Sequence, residues 1–110
     1  MAGWTHSAVS AIGRWRLGRK MNREALTIAR EVYQALWECV LRKIPGATEE
    51  DLAAYAKVRA AQLSQERVDE LMRANPALPG VYATQLLLKA TDRAVDLALA
   101  AAAKVRSSAA

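Results

Sequence analysis

The sequence predicts an all-α protein: an antiparallel three-helix bundle preceded by a basic N-terminal arm. Three observations predict it. The composition is rich in Ala and Leu, with five Gly, three Pro and no Phe among 110 residues, which favours helices over strands. Apolar residues recur at spacings of three and four through three long segments. Those segments are separated by short stretches carrying the prolines, "IPGAT" and "ANPALPG". The length suits one domain with a modest core.

The arm, residues 1–22, comes first. Residues 1–23 hold Arg14, Arg16, Arg19, Lys20 and Arg23 and no acid, so the whole net charge of +5 lies there. The remaining chain has eleven basic and eleven acidic side chains. If helical, the arm sets Trp4, Ala8, Ala11, Ile12 and Trp15 on one face, and Gly13 and Gly18 weaken that helix. An acid-free, Arg-rich, Ser-containing amphipathic start has the character of a mitochondrial targeting segment. The same features suit a membrane-surface helix, a phosphate-binding arm, or a tail that orders on a partner. A small-residue cleavage signal is not evident.

The bundle is expected over residues 23–106. Helix 1 should run from about Asn22 to Lys43, with Leu26, Ala29, Val32, Tyr33, Leu36, Trp37, Val40, Leu41 and Ile44 as its apolar set. Its polar stripe is narrow: Thr27, Arg30, Glu31, Gln34, Glu38 and Arg42. Pro45-Gly46 should stop it. Thr48 is the expected N-cap of helix 2, with Asp51 completing a variant capping box and Glu49 and Glu50 at the positive helix end. The apolar phase shifts near Ser64-Gln65, which predicts a kink or break. Helix 3 should run from about Val81 to Val105, with Gln85, Lys89, Asp92, Arg93 and Asp96 as its polar stripe. Residues 107–110 should be a frayed tail.

A three-helix bundle needs roughly a third of each helix surface for its core, and helices 1 and 3 offer about two thirds. The excess must meet a subunit or a ligand. Helix 3 also carries alanines at 83, 90, 94, 98, 101 and 102. Two readings of this ladder stand: close helix–helix contact, or an elongated cavity for a guest chain.

Enzymatic chemistry has little footing. The single Cys39 reads as a small core residue, and His6 as a surface residue in the arm. No Cys/His cluster has metal-ligand spacing, no acid/base pair shares a face with His or Cys, and there is no Gly-rich phosphate loop. No apolar run approaches the length needed to span a bilayer.

The segment "LWECVLRKIP", residues 36–45, resembles the first-helix signature of the LYR-motif family. Leu36 fits, Trp37 stands for the Tyr, and Val40, Leu41 and Arg42 follow in step. Glu38 occupies the place of the motif Arg. A second register, Val32-Tyr33-Gln34, is also open. "RVDELMRANPALPGVYATQLLLKA", residues 67–90, is similar to the family's second-helix end, turn and third-helix start. Arg67, Met72, Asn75, Pro79, Val81, Leu86 and Lys89 fall in corresponding order, with Met72 where the family usually has Phe. The likeness covers residues 23–105.

The resemblance implies an LYR-type bundle, a non-catalytic accessory subunit of mitochondrial respiratory complex I, on the matrix side of the inner membrane. Its partners would be the mitochondrial acyl carrier protein and other subunits of a large membrane-associated complex, with no nucleic acid. It would have no cofactor of its own; the carrier's acyl-phosphopantetheine would enter the bundle. A buried CH₂ contributes about 0.8 kcal/mol, so an acyl chain would gain several kcal/mol in an apolar channel. The acidic carrier requires a cationic rim, for which Arg30, Arg42, Lys43, Lys57, Arg59, Lys89 and Arg93 are candidates. Arg30 has no acid at helical spacings of three or four. Tyr33, Leu36 and Trp37 complete the partner set, and Val40, Ala90, Ala94 and Ala98 would line the channel. Other LYR adaptors (iron–sulfur assembly, mitoribosome, ATP synthase) are the alternative, as is a basic-arm binder of nucleic acid or a membrane surface.

Overall fold

The computed structural model describes residues 2–109, and side chains from residue 16 to residue 108. Three helices pack together: α1 (Ala2–Lys43), α2 (Glu49–Ala74) and α3 (Gly80–Ala109), with a single 3-10 turn at Ile44–Gly46. No strand occurs among the described residues.

Helix α1 starts at Ala2, not near Asn22. Gly13 and Gly18, within its first half, each cost about 1 kcal/mol against Ala. Elongating a helix already nucleated further along is far easier than starting one. The arm therefore continues the strong helix formed by residues 22–43. The side chains of His6, Trp4, Ala8, Ala11, Ile12 and Trp15 lie outside the described residues.

Pro45 and Gly46 end α1 as expected, through the 3-10 turn. Thr48 then caps α2: its Oγ1 accepts from the Asp51 amide at 3.1 Å, and the Asp51 carboxylate accepts from the Thr48 amide at 3.5 Å. This satisfies two amides that the first helical turn would otherwise leave open.

Helix α2 has no break at Ser64. Its buried residues are Leu52, Ala56, Ala60, Ser64 and Val68, at steps of four. Four residues turn an α-helix about 40° past a full circle, so this line winds slowly round the rod. The apparent phase shift is that winding, and Ser64 takes an ordinary core position within it.

Asn75 ends α2, its side-chain amide donating to the Leu71 carbonyl at 2.9 Å. The Pro-containing turn bonds Leu78 back to Asn75 at 3.1 Å. Helix α3 then runs through both terminal serines to Ala109, so the expected frayed tail is helical at least that far.

The core of α3 is again a four-step line, Tyr82, Leu86, Ala90, Ala94, Ala98 and Ala102, with Val95 beside it. Helix α1 supplies Met21, Ala25, Ile28, Ala29, Val32, Leu36 and Val40. Rows of this kind are the ridges that interlock in helix packing, and alanine in them lets the backbones approach closely. Arg67 of α2 reaches Glu31 of α1 at 2.8 Å, and Arg106 of α3 donates to the carbonyl of Ala47, just beyond α1. Tyr82, almost fully buried, donates its hydroxyl to Glu24 of α1. No helix among the described residues is long and apolar enough to cross a membrane.

Candidate functional site

The fold separates the ten expected partner-binding residues into four places. Leu36 is fully buried in the core and offers no surface. Its position between Val32 and Val40 on the four-step line explains why.

Five of them share one flank, where α1 meets α3. Lys89 donates to the side-chain oxygen of Asn22 at 3.2 Å. Lys89 and Arg93, one turn apart on α3, line a groove of about 250 Å³ with Asn22, Ala25 and Leu26. The groove continues past Lys89 into a depression lined by Gln85, Leu17, Gly18, Met21 and Asn22. Steps of four, three and four carry the α1 side of this flank from Leu26 through Arg30 and Tyr33 to Trp37. Tyr33 and Trp37 stack with ring centroids 6.3 Å apart and planes 29° apart, half-buried against the core. Arg30, Lys89 and Arg93 are exposed, and none of them is in an ion pair among the described residues.

Arg42, Lys43 and Arg59 gather elsewhere, at the corner of α1 and α2 around Tyr55. The Lys43 ammonium lies 4.8 Å from the centre of the Tyr55 ring, a cation–π distance. Arg59 donates to Gln62 at 3.2 Å. Burial pushes the Tyr55 hydroxyl above its ordinary pKa, and the adjacent Cys39 side chain adds to this. The positive charges of Arg59 and Arg42 act in the opposite direction. Cys39 is half-buried rather than fully internal. Lys57 stands exposed on α2, and neither of these grooves nor the Tyr55 contacts includes it.

The four residues expected to line the acyl channel are packed in the core. Val40, Ala90, Ala94 and Ala98 have no exposed surface, and none of the four grooves described here includes them. The alanine ladder takes its close-contact reading: small side chains draw the helices together instead of leaving a slot. The surplus apolar surface lies outside the core, at Leu41, Val58, Val81 and Leu88, which are 45–63% exposed.

An apolar recess does exist, in a place the periodicity did not reveal. It lies between the start of α2 and the end of α3, has a volume of about 410 Å³, and is lined by Leu52, Ala53, Leu99, Ala102 and Ala103. Glu49, Glu50 and Arg106 form its rim. Arg106 is held there by the Ala47 carbonyl and stands 3.9 Å from Glu49. A fourth groove, between α1 and α2, is crossed by the Arg67–Glu31 pair and carries charges of both signs.

Two further residues escaped sequence reasoning. Tyr82, which the helix pattern does not single out, links α3 to Glu24. Burial, reinforced by the Glu24 carboxylate, drives its hydroxyl far above its ordinary pKa. Asn22 holds Lys89. Neither pairing leaves a local signal, since the partners are 58 and 67 residues apart.

No family model matches the chain, and neither does any curated protein or solved structure. Among the described residues no group of three His, Cys, Asp or Glu side chains converges as a metal site would require.

Proposed function

We propose that this protein is a non-catalytic LYR-type adaptor, an antiparallel three-helix bundle that docks an acidic acyl carrier protein on its α1–α3 flank. The observation that carries this reading is the content of that flank. Arg30, Lys89 and Arg93 stand beside a stacked Tyr33–Trp37 pair, with no carboxylate in an ion pair with any of the three among the described residues. Aromatics and unpaired cations are the groups that anchor interfaces with acidic proteins. The contacts of Arg67 with Glu31 and of Arg106 with Ala47 support the alternating helix directions. The sequence resemblance over residues 36–45 and 67–90 supports a mitochondrial setting, as an accessory subunit on the matrix arm of complex I.

In this reading Arg42, Lys43 and Arg59 lie on another side and do not share the carrier's footprint. The acyl tail uses the Leu52–Leu99 recess, because the Ala90–Ala98 line is packed. A recess of about 410 Å³ falls within the usual range for small-molecule sites.

Titration calorimetry with an acyl-loaded carrier protein at low salt tests this. Lys89→Glu combined with Arg93→Glu should weaken binding by at least about tenfold, and salt should weaken the unaltered protein similarly. Arg42→Glu combined with Arg59→Glu should change affinity by less than about threefold. Equal losses from both pairs would remove the case for the α1–α3 flank, and no binding at all would remove the carrier. Ala103→Leu should lower acyl occupancy, read by intact mass, without unfolding the exposed end of α3. Native purification, with the intact mass of everything retained, identifies the host complex.

A further inference from the structure

We infer that the amino-terminal part of α1 is a docking strip for an anionic lipid surface, independent of the carrier-binding flank. The first ground is that the arm is one rod with the bundle. The first groove that α1 shares with α3 brings Leu17 and Gly18 beside Gln85 and Lys89. Five residues separate Gly80 from Gln85, about 7.5 Å of rise, while fifteen separate Ala2 from Leu17, about 22 Å. Helix α1 therefore reaches about 15 Å beyond the start of α3. The molecule measures 66 × 27 × 18 Å, and a 42-residue helix of about 63 Å accounts for the long axis.

The second ground is a repeat. Trp4, Trp15, Leu26 and Trp37 follow one another at steps of eleven. Eleven residues make three turns plus about 20°, so all four positions run in one shallow stripe along α1. Over the bundle that stripe lies beside α3, where Leu26 lines the groove with Lys89 and Arg93. Toward the start of α1 the positions of Trp4 and Trp15 are flanked in register by those of Ala8, Ala11 and Ile12.

The third ground is charge. Residues 1–23 carry five cations and no acid. Arg16, Arg19 and Lys20 are exposed, Lys20 standing 4.0 Å from the Glu24 carboxylate, and Met21 is the first core side chain among the described residues. A Trp-bearing apolar stripe bordered by cations is what an interfacial helix needs: rings at the headgroup boundary, cations on anionic lipid. A second copy would bring the same positive charge against itself. A nucleic acid would use the cations and leave the apolar stripe in water.

The test uses the full-length chain with vesicles of phosphatidylcholine, alone or mixed with phosphatidylglycerol. Sedimentation should show strong partition onto the mixed vesicles only, falling with added salt. Arg14→Glu combined with Arg16→Glu should reduce it at least about tenfold. Both positions precede Met21, the first core residue among those described, so far-ultraviolet dichroism and carrier binding should be unchanged, which separates this inference from the proposed adaptor role. In Trp37→Phe the remaining tryptophans, Trp4 and Trp15, report the arm alone, and their emission should shift to the blue on mixed vesicles. Equal partition onto neutral vesicles, or indifference to the charge reversal, overturns the proposal. So does retention by RNA or self-association in place of retention by vesicles.

Discussion

Replacing Ser64 with alanine is expected to stabilise the protein. Ser64 has no exposed surface, and its hydroxyl has no hydrogen-bond partner. A hydroxyl buried without a partner costs about 1–3 kcal/mol by the evidence of protein variants. Alanine also has the better helix propensity, by up to about 0.5 kcal/mol. Against this stands the small void left by one oxygen, about 10–15 Å³, worth roughly 0.3 kcal/mol at the measured cavity cost. The net gain is about 1–2 kcal/mol, or roughly 5–10 °C in Tm for a chain near 100 residues. Urea unfolding followed by circular dichroism should show a higher midpoint with an unchanged slope. Thr91 offers a shape-preserving companion, because its buried Oγ1 is also unpartnered. Thr91→Val should add its own gain of about 1 kcal/mol. A lower midpoint for Ser64→Ala would refute the reasoning, since it would mean that the hydroxyl is satisfied in solution. A double variant far from additive would point to one water shared by both hydroxyls.

Tyr82→Phe should cost about 1–2 kcal/mol, because Glu24, whose side chain is 18% exposed, loses its phenolic donor. The hydroxyl's folded pKa is raised, so above pH ~10 the unfolded chain releases this proton and the native chain keeps it. Stability should then fall with rising pH, by up to about 1.4 kcal/mol per unit, and Tyr82→Phe should flatten the slope. Ala94→Leu or Ala98→Leu should destabilise by about 1–3 kcal/mol through overpacking, measured by the urea midpoint. An undisturbed midpoint there would reopen the guest-channel reading of the ladder. Thr48→Ala should cost about 1 kcal/mol by removing the cap of α2, whereas Arg67→Ala should cost less than that, since the Arg67–Glu31 pair is solvent-exposed.

Much of the fold is legible in the residues because its causes are local. Thr48 and Asp51 cap α2 through bonds spanning three residues, and Pro45-Gly46 ends α1 where the ring removes an amide. The polar stripes behave alike: Arg30, Glu38, Gln85 and Asp96 are all exposed, as their spacing requires. Two features depart from the local reading: the start of α1 and the continuity of α2. Gly13 and Gly18 weaken the arm as a helix, but the adjoining stable helix propagates through them. Ser64 looked like an interruption, but a four-step line tolerates one small polar residue.

The amino-acid sequence by itself determined three rods, their turns, and an excess of positive charge at one end, because helix periodicity and capping act within a few residues. Only the tertiary structure decided which flank each side chain occupies. Spacing fixes an angle about a helix axis but does not say which neighbouring helix covers that angle. Hence Leu36 is hidden, Arg42 and Arg93 fall on different sides, and Tyr82 meets Glu24. Hence also the alanines at 90, 94 and 98 close on their neighbours while the open recess forms at Leu52 and Leu99, where the rods end.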